Sequence, residues 1–132
     1  MKKNTLGLFI SLLLLVEITF AQKIQEKDLV GKWSLIQKEW LKNPQVEYVT
    51  PDKLGHIMLV LFADKTCQLV YAQNPNQYKG TWQFDKDKNQ ITMRIDNYDY
   101  VLKIYQKIGN KLIFNAEDGN LLYGYEHYEK IE

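Results

Sequence analysis

The residues equipped to ligate a metal or carry out a reaction are few and scattered. His56 and His127 are the only histidines of the 132-residue chain, and Cys67 is its only cysteine. Zinc and haem sites draw on closely spaced ligand pairs. Here the fold would have to bring the distant histidines together or recruit Cys67. The plainer expectation is one histidine at a strand end and one near a rim, with Cys67 a small buried group on a strand. A lone thiol closes no internal disulfide, so its alternatives are an intermolecular bridge or a thiol ligand. Asp96 and Asp99 flank a turn, and Glu126 and Glu129 fall on the last apolar–polar stretch. Carboxylates in such places are usually solvated, and paired acid–base catalysis needs burial. The chain has no Gly-x-Ser-x-Gly, no His-Glu-x-x-His and no glycine-rich phosphate loop. Neither catalysis nor a cofactor nor a metal is expected.

The chemistry left is that of a binding surface. Met58, Val60, Phe62, Tyr71, Trp82, Phe84, Met93, Tyr100, Leu102, Phe114, Tyr123 and Tyr125 are mostly apolar, with several phenols, and alternation points them toward one interior. An apolar concave lining with a few polar groups suits a small hydrophobic ligand. The same residues would also serve as an ordinary filled core, and the sequence leaves both open. Trp33 reads as core; Trp82 fits either role.

These side chains must be positioned by strands. Met1-Lys2-Lys3, the apolar run Leu6 to Val16 and Thr19-Phe20-Ala21 form a secretory signal, expected to be cut between Ala21 and Gln22. The domain is then residues 22–132. The formal net charge of the whole chain is +1. Loss of Lys2, Lys3 and Glu17 with the signal leaves acidic and basic residues balanced, and Arg94 is the sole arginine. Nucleic-acid surfaces favour a positive field and arginine forks, so no nucleic-acid partner is expected. Nor is a transmembrane segment in the mature chain.

Gln22 to Val30 could make one helical turn and plug an end of the fold. The first strand, from about Lys32 to Leu41, changes phase between Leu35 and Ile36, which suggests a bend or bulge. Residues 42–54 carry two prolines; they read as a long loop without regular strand and as a candidate lid. Further strands follow at Gly55 to Ala63, Thr66 to Ala72, Tyr78 to Phe84, Ile91 to Ile95, Tyr98 to Tyr105, Lys111 to Ala116 and Leu121 to about Glu129. Gln73 to Gln77 reads as a turn cluster. Gly109-Asn110 and Asp118-Gly119 are hairpin signals. On the last strand Tyr123, Tyr125 and His127 share one face and Leu122, Gly124 and Tyr128 the other. Eight short strands joined by tight turns, with no convincing helix, give an all-β, up-and-down antiparallel barrel, since closure removes the exposed edges. A two-sheet sandwich is the other candidate.

Gly31-Lys32-Trp33 resembles the Gly-x-Trp start of the first strand in lipocalins and other calycin-type barrels. Leu61-Phe62-Ala63-Asp64-Lys65-Thr66 followed by Gly80-Thr81-Trp82-Gln83-Phe84 is similar to small bacterial lipocalin-like domains. The last strand offers Lys130 where lipocalins usually place an arginine over the first tryptophan. The resemblance implies a secreted or periplasmic monomer holding a small hydrophobic molecule inside the barrel, with residues 42–54 gating its open end. The rival expectation is a filled barrel that docks a protein or envelope partner through rim loops and exposed aromatics such as Trp40, Tyr48, Tyr105 and Tyr128.

Overall fold

The computed structural model describes residues 23–42, 46–50, 56–71, 74–119 and 121–132. A single 3₁₀ turn, Glu26–Asp28, leads into β1 (Gly31–Trp40), β2 (Val46–Tyr48), β3 (Ile57–Leu61), β4 (Thr66–Tyr71) and β5 (Asn74–Asp85). The chain continues through β6 (Gln90–Ile95), β7 (Tyr98–Ile108), β8 (Lys111–Asp118) and β9 (Leu121–Lys130). From β3 onward each strand pairs antiparallel with the next, and β9 returns to pair with β1 along Trp33 to Trp40. The result is the closed eight-stranded up-and-down barrel expected from the sequence.

The ninth strand corrects one expectation. β2 lies within residues 42–54, read from the sequence as strand-free. It pairs with Gln37 to Glu39 of β1, whereas β3 covers only Gly31 to Ser34. The upper half of β1 therefore has backbone groups on that side needing partners. Pro44 and Pro51 flank the short strand rather than interrupting it. Just beyond it, the Val49 amide donates to the Ile36 carbonyl at 2.8 Å. Residues 43–45 and 51–54 of the expected lid lie outside those described, as do Gly55, Ala72, Gln73 and the signal segment. The expected turn at 73–77 is likewise displaced, because β5 already begins at Asn74. The ladder is irregular there, with Tyr71 opposite Asn74 and Leu69 opposite Tyr78, and such an irregular strand start tolerates Pro75.

The expected bend in β1 is a register shift between Leu35 and Gln37 against β9. It lets the Trp33 and Leu35 face run on as the Lys38 face. The two-residue turn at Asp96-Asn97 takes φ of 51° and 66°, the left-handed pair that suits a hairpin between right-twisted strands.

One end of the barrel is shut. Leu29, just after the 3₁₀ turn, is fully buried, and its carbonyl accepts the Trp33 indole N–H at 2.9 Å. The Trp82 indole donates to the Phe62 carbonyl at 2.8 Å. Lys65 covers the Trp82 ring at 4.6 Å and pairs with Glu26. The Lys130 ammonium lies 5.6 Å from the Trp33 ring centroid, so lysine takes the place lipocalins give to arginine. Gly31 is required here: its φ is 148°, and a Cβ would sit 2.7 Å from the Glu132 carbonyl. Above this plug, Leu35, Leu59, Leu61, Cys67, Ile91, Met93, Leu112 and Phe114 fill the lower barrel with almost no exposure. Cys67 is the buried free thiol expected, and burial pushes its pKa up.

Candidate functional site

Strand register decides which side chains look inward, because directly opposed residues share a face. Trp33 faces the core and is opposite Leu59. Leu59 and Leu61 therefore point in, while Met58 and Val60 point out. The sequence placed Met58, Val60 and Phe62 inside. It could not choose, since β3 is apolar on both faces; the pairing with β1 makes the choice. Val60 and Phe62 instead line an outer hollow of about 310 Å³ with Val30, Lys32 and Gln68.

β9 is corrected in the same way. Tyr128 is opposite both Leu35 and Leu112 and is 4% exposed, so Glu126 shares its inward face. Tyr128 is thus not an exposed docking aromatic. Tyr125 lies outside, its ring 4.5 Å from Tyr105. Tyr123 stands at the rim, stacked on Trp40 at 5.6 Å. His127 is mid-strand on the outer face rather than at a rim, and pairs with Glu39 at 3.1 Å. Alternation misled because the inward positions of β9 hold a glycine and a carboxylate while its largest rings face out.

The remaining expected residues do look inward. Trp82, Phe84, Met93 and Phe114 sit in or against the packed lower core. Leu102, opposite Ile91, packs against that core too; Tyr71, opposite Ile57, and Tyr100, opposite Met93, line the upper half. Tyr78, opposite Leu69, joins them, its ring edge-on to Tyr71 at 5.7 Å. Although they face inward, Tyr100 is 41% exposed and Tyr78 37%. Trp82, two rungs below Tyr78 on the same face, is 1% exposed, and Met93 opposite Tyr100 is 2% exposed. The upper barrel is therefore an aromatic mouth open to solvent over a filled floor.

The mouth also holds charge. Glu126 and Lys38 are opposed in the β1–β9 ladder and both are half-buried. Glu126 accepts a hydrogen bond from the Tyr128 hydroxyl, and burial followed by this carboxylate drives the Tyr128 phenol far above its ordinary range. Burial likewise pushes Tyr71 up, with Tyr100, Tyr78 and Glu126 adding to it. Tyrosines on β4, β5 and β7 and a glutamate on β9 thus share one electrostatic environment. Lys38, Trp40, Tyr123 and Glu126, with Glu39 and Tyr125 from the outer face, border a pit of about 30 Å³. It adjoins a broad depression of about 520 Å³ lined by Trp40, Glu117, Asp118, Leu121 and Tyr123.

Tyr78, Glu126 and Lys38 were not expected as site residues. Tyr78 was recoverable from the clean alternation Tyr78, Gly80, Trp82, Phe84. Glu126 and Lys38 needed the register of β9 and the bulge in β1, which no local pattern reveals.

The Ser34 hydroxyl and His56 Nε2 are 3.0 Å apart, both residues buried, with His56 Nδ1 lacking a protein partner. Burial lowers the His56 pKa. Among the described residues no group of three or more His, Cys, Asp or Glu is arranged to hold a metal ion, and no helix is long and apolar enough to cross a membrane.

With this geometry the comparisons agree. The fold defines a lipocalin-like barrel. A family model described as GH43_C, a C-terminal lipocalin-like domain, matches residues 16–116, and the chain belongs to that family. No curated protein matches the chain.

Proposed function

We propose that this domain is a non-catalytic binding module that takes a small molecule with an apolar face into the open end of its barrel. The observation that carries the reading is the contrast along one inner wall: Tyr100 faces inward yet is 41% exposed, while Met93 opposite it is 2% exposed. An inward ring left that exposed keeps part of its face for a ligand. The filled lower half restricts the ligand. It must be short and must lie on tyrosine faces, rather than bury a long chain along the barrel axis. The signal-like residues 1–21 and the family's description as the C-terminal lipocalin-like domain of a glycoside hydrolase family support delivery to the periplasm or exterior. We read the domain as a monomer.

N-phenylnaphthylamine, a small neutral apolar fluorophore, tests the reading. The protein purified from its own host should take it up saturably at one site, and Tyr100→Ala should weaken uptake about tenfold. Absence of uptake, or uptake indifferent to Tyr100, would contradict the proposal. One observation favours docking of a protein partner instead: the outer-face pair Tyr105–Tyr125, with Tyr105 58% exposed. On that reading Tyr105→Ala would abolish partner capture and leave fluorophore uptake unchanged.

A further inference from the structure

We infer that the molecule taken at the open end is a neutral sugar ring, the end or a short stretch of a glycan. The ring lies on the Trp40–Tyr123 stack, with its hydroxyls reaching Glu126 and Lys38. This deepens the small-molecule reading of the same mouth and rests on it. A sugar has an apolar C–H face and a hydroxyl-rich edge. It therefore needs a flat aromatic surface next to both donors and acceptors. The mouth supplies these side by side. Trp40 and Tyr123 are stacked at 5.6 Å with an interplanar angle of 23°, and both remain more than a third exposed. The pit beside them is bordered by Lys38 and Glu126 and, from the outer face, by Glu39 and Tyr125, and the depression beyond them by Glu117, Asp118 and Leu121.

The alternatives fit less well. A long apolar chain finds the barrel floor filled by Trp82, Met93 and Phe114. An organic cation would meet the Lys38 ammonium, which is opposite Glu126 in the ladder. An anion would meet Glu117, Asp118 and Glu126 together. Lys38 faces Glu126 in the ladder, Glu117 is held by Lys103 and Glu39 by His127. With most carboxylates already partnered and both donors and acceptors present, the site suits uncharged vicinal hydroxyls. The family's link to a glycoside hydrolase family places such domains beside enzymes that work on glycans.

The test is isothermal calorimetry of the full protein, purified from its own host, against neutral pentose and hexose oligosaccharides. N-phenylnaphthylamine and tetramethylammonium are titrated in parallel. Saturable binding of at least one oligosaccharide is expected, weakened about tenfold or more by Trp40→Ala and by the isosteric Glu126→Gln and unchanged by the outer-face Tyr105→Ala. Circular dichroism of each variant confirms that it is folded. Fluorophore uptake without any sugar binding would overturn the sugar assignment and leave the small-molecule reading standing. No binding of either would overturn both. Tetramethylammonium binding tighter than any sugar, or sugar binding unaffected by both site variants, would also overturn the assignment.

Discussion

The two ends of the barrel use aromatic residues in opposite ways. At the closed end both tryptophans are fixed by polar partners as well as by packing. Trp33 donates to Leu29 and lies under Lys130; Trp82 donates to Phe62 and lies under Lys65. At the open end Tyr78, Tyr98, Tyr100, Trp40 and Tyr123 keep a third or more of their surface in water. A buried ring contributes its full apolar area to stability. A half-exposed inward ring contributes less, and the remainder of its face is available to a ligand. Stability is thus concentrated at one end and exposed aromatic surface at the other.

The sharpest way to break that contrast is substitution. Trp33→Ala or Trp82→Ala should cost about 3–5 kcal/mol, the usual loss for truncating a fully buried ring, in urea unfolding followed by circular dichroism. Tyr100→Ala should cost about 1 kcal/mol or less. Equal costs at the two ends would mean that the upper half is packed as tightly as the lower.

Alkaline titration comes next. A buried phenol whose pKa is raised in the folded state stays neutral there but ionises in the unfolded chain. Its stabilising effect is therefore complete below the ordinary value of 10.0 and is lost as pH rises above it. Tyr128 should ionise only together with unfolding, seen as a late step in tyrosinate absorbance. A Tyr128→Phe variant that kept the late step would contradict this.

Lys130→Met removes the ammonium over Trp33 while keeping an aliphatic stem, and a loss of about 0.5–1 kcal/mol in urea unfolding is expected. The smallest effect belongs to His56. Its pKa is lowered by burial, so the unfolded chain binds the proton better. Its contribution is present above the ordinary value of 6.5 and is lost as pH falls below it. His56→Gln should flatten the thermal stability profile in that range without altering ligand uptake.

Much of the fold was legible in the sequence because local patterns are enough to set it. Tyr78 to Phe84 and Ile91 to Ile95 alternate cleanly, and the Gly109-Asn110 and Asp96-Asn97 turns leave little freedom in how their strands meet. The closed end was legible too, through Gly31, Trp33 and the amphipathic lead-in to Leu29. The open end was harder to read. Met58 and Val60 alternate as plausibly inward as Leu59 and Leu61, and only the pairing of Leu59 with Trp33 decides. Glu126 looks like any surface carboxylate until Tyr128 is seen to face Leu35. Val46–Tyr48 is too short and too closely flanked by prolines to register as a strand; it forms because β1 extends beyond β3. Each of these features depends on long-range register, which no window of neighbouring residues contains.

The most direct test of the central claim is an amide chemical-shift map of the protein titrated with N-phenylnaphthylamine. If the open end is the binding site, the largest shifts will fall at Tyr71, Tyr78, Tyr100 and Glu126, with Trp33, Trp82 and Leu112 at the closed end unmoved. Shifts centred on the closed end, or on Val101 and Tyr105 of the outer face, would contradict it.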